Sequence, residues 1–136
     1  MKQTKSFAVG TLCAAITSCL LIPQAAAQSS SEWADVKDPQ ELRALYADKT
    51  HRSRAFVGYY RADGTGLLQA RGSENRIPRT WAVRGSQVCT GPKDEEPTCF
   101  HLQRSTKVPN EVLAQGERRG QKVMLWFTVE DGIPKF

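Results

Sequence analysis

Histidine is scarce in this chain, and the residues that carry most familiar chemistries are absent or badly spaced. There are two histidines, His51 and His101, and four cysteines in 136 residues. Neither histidine has a helical i, i+4 partner, and no Cys-x-x-Cys pair occurs, so the usual zinc and dithiol-redox spacings are excluded. Gly-x-Gly occurs once, as Gly64-Thr65-Gly66 beside a turn, which excludes a glycine loop cradling phosphate. A Gly-x-Ser-x-Gly elbow, a His-Glu-x-x-His motif and a calcium loop are all missing. No apolar run reaches the roughly 20 residues a membrane helix needs. These absences leave no catalytic set, no metal site and no cofactor to expect.

What is present begins with an address. Lys2 and Lys5 precede an apolar run from Phe7 to Ile22, followed by Pro23 and Ala25-Ala26-Ala27. Charged, apolar and small-residue regions in that order form a secretory signal peptide over residues 1–27, with cleavage after Ala27. The expected location is periplasmic or secreted. The alternative, a lipoprotein anchored at Cys19, is opposed by Leu20-Leu21-Ile22, which continue the apolar run past that cysteine. Export removes Cys13 and Cys19 and leaves Cys89 and Cys99 where thiols oxidise.

Removing Lys2 and Lys5 takes the net charge from +5 to +3. The charge is uneven: residues 28–42 are acidic, residues 43–84 are strongly basic, and the remainder balances. A basic middle in an exported chain suits an envelope protein, an anionic polysaccharide or peptidoglycan rather than nucleic acid.

Residues 28–37 read as a flexible polar spacer and residues 38–136 as a single globular domain. Asp38 is placed to cap a helix, with Pro39 at its first position and Glu41 completing a capping box. Leu42, Leu45 and Tyr46 form its apolar stripe. Strands follow over Ala55–Arg61, Gly66–Arg71, Arg79–Arg84, Gln87–Thr90, Thr98–Ser105, Glu111–Gln115 and Gln121–Glu130. Along the last of these, Val123, Leu125, Phe127 and Val129 share one face. Connections this short give antiparallel neighbours. The expected fold is therefore α+β and mainly β: a short N-terminal helix, then an antiparallel β-meander of six or seven strands curled into a partial barrel.

Two strands joined across residues 91–97 in regular register set Cys89 opposite Cys99 and Val88 opposite Phe100, close enough for a disulfide. Tyr59 and Tyr60 point to opposite faces, so one of them is expected at the surface. Beside Arg61 it could stack on a sugar ring. Met124 and Trp126 are expected to be covered by the helix; the alternative is an open face on which they form an exposed apolar patch, a candidate interface. The binding residues singled out are Arg52, Arg54, Tyr59, Tyr60 and Arg61, in a non-catalytic module for a protein or anionic envelope polymer. Two alternatives are a small hydrolase using His101 with an acidic neighbour, and an inhibitor of a cell-wall enzyme presenting the loop 91–97.

Five strings in order resemble the exported bacterial family known as domain of unknown function 995: ELRALYADKT (Glu41 to Thr50), GYYRADGTG (Gly58 to Gly66), TWAVRGSQVC (Thr80 to Cys89), CF (Cys99, Phe100) and DGIPKF (Asp131 to Phe136). This chain has Arg79 where members usually carry a glycine two residues before the tryptophan. The resemblance implies a small exported domain with one short helix and a sheet. It assigns no activity and no catalytic residue.

Overall fold

The computed structural model describes residues 32–136. The expectations for the signal peptide, its cleavage site and Cys19 fall outside the described residues. Nine strands and one short helix follow in the order β1 (Trp33–Val36), α1 (Pro39–Ala44), β2 (Lys49–Arg52), β3 (Phe56–Tyr60), β4 (Thr65–Ala70), β5 (Arg76–Arg84), β6 (Gln87–Pro92), β7 (Thr98–Ser105), β8 (Glu111–Arg118) and β9 (Gln121–Asp131).

From β2 to β9 each strand pairs antiparallel with the next, and β9 returns to pair with β2. The result is a closed eight-stranded up-and-down barrel rather than a partial one of six or seven strands. Closure removes the edges that an open meander would expose. β1 lies outside this circuit and pairs with the second half of β7. It precedes the helix and occupies part of the stretch read as a spacer.

The register sorts every strand into an inner and an outer row. Tyr60, Gly66, Arg79, Pro92 and their successors face inward, as do Val123, Leu125, Phe127 and Val129, the face recognised in the sequence. Two glycines let large rings fold down across the strands. A Cβ on Gly66 would sit 2.9 Å from the Tyr60 ring, and one on Gly116 would sit 2.9 Å from Phe100 and 2.5 Å from the Cys99 carbonyl oxygen. Each ring therefore covers the bare backbone of the glycine paired with it.

Helix α1 starts as its sequence demands. The Asp38 carboxylate accepts from the Gln40 N–H at 3.1 Å, and Pro39 occupies the first turn. With six residues it could not persist alone. It packs against β5 and β6 at one end of the barrel and buries Leu42, Leu45 and Tyr46. Arg43 anchors it by donating to the Ala62 carbonyl at 2.8 Å, with its guanidinium 5.5 Å from the centre of the Trp81 ring.

Beneath the helix this end of the barrel is filled with rings. His51 stacks on Phe127 with centroids 4.3 Å apart, and Tyr46, Tyr60 and Trp81 complete the cluster at 4.5–5.4 Å. His51 is 1% exposed, and its Nε2 donates to the Leu45 carbonyl at 2.7 Å. That bond needs only a neutral ring, and burial holds the imidazole pKa down at about 4. The same burial raises the Tyr46 and Tyr60 phenols. The Cys89–Cys99 disulfide forms in the expected register, with S–S 1.99 Å and Val88 opposite Phe100. Among the described residues no helix is long and apolar enough to cross a membrane.

Candidate functional site

The end of the barrel opposite α1 carries the loops 53–55, 71–75, 93–97 and 119–120. β9 reaches this end, but β2 does not. Only Thr128–Asp131 pair with Arg52–Lys49, so residues 121–127 of β9 pair with β8 alone. A groove of about 430 Å³ opens where the β2–β9 seam stops, and it is lined by Arg52, Ser53, Arg54, Arg71, Trp126 and Thr128, with Phe127 at its base.

The arginines in this groove differ in how far they are committed. Arg52 Nε donates to Glu130 at 2.8 Å and is largely neutralised. Arg71 Nε donates to the Ser53 carbonyl at 2.8 Å, which pins the β2–β3 loop and leaves the rest of the guanidinium exposed. Arg54 stands exposed at the loop apex. Among the described residues no carboxylate pairs with Arg54 or Arg71. Trp126 is 46% exposed and Met124, two residues along the same outer face, is 66% exposed. The helix does not cover them, contrary to expectation. A closed barrel buries its inner row by itself, so the helix caps an end instead of a face.

The five residues expected to bind do not gather in one place. Arg52 and Arg54 line the groove. Arg61 lies at the far end of β3, roughly 17 Å along a strand of five residues. Its guanidinium sits 5.7 Å from the Tyr59 ring centre and reaches Thr65 Oγ1 at 3.4 Å, bracing the β3–β4 turn. Asp63 in that turn accepts from both the N–H and the hydroxyl of Thr65, which lowers its carboxyl pKa. Tyr59 and Tyr60 are both buried, at 8% and 3%. Alternation does send Tyr59 outward, but the C-terminal tail runs over the outside of β3 and β4. There Lys135 and Phe136 share a cleft with Val57 and Gln69, and Pro134 is buried. Neither tyrosine presents a stacking face to solvent. Arg71 and Trp126 complete the groove; Trp126 lies on the outer face for which an exposed apolar patch is the alternative expectation, whereas Arg71 carries no local motif that singles it out.

The alternative readings fare differently. His101 is exposed on the outer face, its Nε2 bonded to the Gln87 amide at 2.9 Å. Glu117 shares its cleft, yet among the described residues the ring has no ion pair and no carboxylate hydrogen bond, so no acid–base dyad is assembled. The described residues contain no cluster of three metal-ligating side chains. The loop 91–97 is tied down at both flanks, by Lys93 N–H to the Pro78 carbonyl at 3.0 Å and by Arg118 to Glu95 at 3.1 Å. It does not stand away from the barrel as an inhibitory finger would. Comparison with protein-family models, curated proteins and solved structures finds no match.

Proposed function

We propose that this chain is an exported, non-catalytic binding module, and that it holds an acidic polysaccharide of the cell envelope in the Arg52–Arg54–Arg71–Trp126 groove. The observation that carries this reading is the convergence of two guanidiniums that lack a carboxylate partner, Arg54 and Arg71, and a half-exposed indole on one open cleft. Guanidiniums match sugar carboxylates bidentately, and an indole face matches the apolar face of a pyranose ring. Kinship with the exported family named above is part of the same proposal. It agrees in size and in its single helix, and contributes no activity.

The test is titration of the mature protein with polygalacturonate, with neutral dextran as control, at 50 and 300 mM salt. Binding is expected to weaken steeply with salt. It should fall about tenfold in R54A, since a charge-assisted bond contributes roughly 1.5–3 kcal/mol, and further in W126A, which removes the stacking face. Equal binding of dextran, or affinity unchanged in the R54A/R71A pair, refutes the reading.

A further inference from the structure

A second cavity lies inside the barrel, in the half the ring cluster does not fill. It has a volume of about 190 Å³. Its walls come from the inner rows of β5 to β9: Phe100, Val123 and Leu125 supply apolar surface, while Arg79, Thr90 and Thr98 supply polar atoms. Arg118 and Glu96 stand at its rim, the former tied to Glu95.

Arg79 is the anomaly. It projects from the inner row of β5, and its Nε is buried without a hydrogen-bond partner. The Tyr60 hydroxyl lies within its reach, but that group is neutral. Among the described residues no carboxylate comes within ion-pair distance of the guanidinium, Glu96 included. Arg79 as a whole is half-buried, but its Nε–H is fully buried, and a buried donor left unpaired is costly. Arg79 lines the cavity, so this deficit lies at its wall.

We infer that the barrel interior is a binding site for a small organic monocarboxylate, its carboxylate on Arg79 and its apolar body against Phe100, Val123 and Leu125. Eight-stranded barrels are wide enough to hold one small ligand. The volume sets the size: an apolar cavity of about 150 Å³ accepts benzene, so a compact acid of benzoate size fits and a long acyl chain does not. Thr90 is already turned to the Thr80 carbonyl at 2.9 Å, which leaves Thr98 as the hydroxyl able to assist. The site is independent of the outer groove and shares no residue with it.

The probe is benzoate, with benzyl alcohol as its uncharged counterpart and acetate as its truncated one. In ¹⁵N-labelled wild-type protein the Arg79 Nε–Hε signal should move on addition of benzoate, saturably, and should not move with benzyl alcohol. Millimolar benzoate should raise Tm by several degrees, with acetate far less effective because it leaves the apolar wall bare. In R79Q the benzoate shift should vanish while the apo protein is at least as stable as wild type. A residue with a merely structural role would instead cost stability when replaced. V123F, which retains the arginine and fills the cavity, should also lose the benzoate response. Absence of any Arg79 signal change in the wild type refutes the site, as does a thermal shift that survives in R79Q or is matched by benzyl alcohol. R54A/R71A should bind benzoate normally, so failure at one site leaves the other standing.

Discussion

Acidification to pH 5 is expected to weaken this fold through one side chain. His51 is buried among aromatic rings with its imidazole pKa at about 4, against 6.5 when solvated. Between those values the unfolded chain takes up a proton and the native protein does not, so stability falls as pH falls. The contribution is complete above pH 6.5 and declines toward pH 4. At 1.36 kcal/mol per pH unit, the loss from pH 8 to pH 5 is about 2 kcal/mol. Total stability in domains of this size is only about 5–15 kcal/mol. Glu32 and Asp63 also have lowered carboxyl pKa values, from their hydrogen bonds to Lys107 and Thr65 respectively. Their contributions are present above the ordinary carboxylate pKa and are lost as pH falls through the lowered values, below the pH 8 to 5 range in which the histidine slope is read. Urea unfolding followed by the fluorescence of buried Trp81, at half-unit steps from pH 8 to 5, measures the slope. H51Q keeps a donor for the Leu45 carbonyl and cannot titrate. It should lose about 0.5–1.5 kcal/mol from the missing ring stack and show a flat profile across the window. A flat wild-type profile, or a His51 ring signal titrating near 6.5 in the folded protein, refutes the reasoning.

Two further outcomes follow from the barrel wall. Replacing Cys89 and Cys99 by alanine opens a loop with a sequence separation of 10, and should lower stability by about 3 kcal/mol in the chain-entropy model; a urea-derived difference below about 1 kcal/mol would contradict it. G116A forces a methyl group into the Cys99 carbonyl and the Phe100 ring, and should cost about 2 kcal/mol with a displaced Phe100 ring visible by NMR. G72A, with open space around its Cβ position, serves as a comparison for a loop glycine at positive φ.

Much of the wall was legible before any coordinates. The strands from β5 to β9 alternate or carry β-branched and aromatic residues, and the Cys89–Cys99 register follows from counting across one loop. β1 and β2 were not legible. Their sequences, WADV and KTHR, have no apolar alternation, and β2 is a strand because it is held between β3 and β9. Missing β2 turned a closed barrel into a partial one. That error carried through to Met124 and Trp126, since an open sheet needs a cover and a closed barrel does not. Tyr59 was misjudged for a related reason: strand alternation says which way a side chain points, and says nothing of a tail crossing over it. Half of the groove was legible because Arg52 and Arg54 are neighbours in the chain. Arg71 and Trp126 reach it through barrel closure, and no local pattern announces such a meeting.

The join between β2 and β9 is four residue pairs wide and unites the first barrel strand with the last. The ring therefore cannot form until β9 has been made, because β9 is the strand that closes it on β2. A chain ending before Gln121 would carry two raw strand edges, on β2 and β8, each a template for another copy. Nonsense truncation in this gene should thus yield insoluble aggregate rather than a smaller folded remnant.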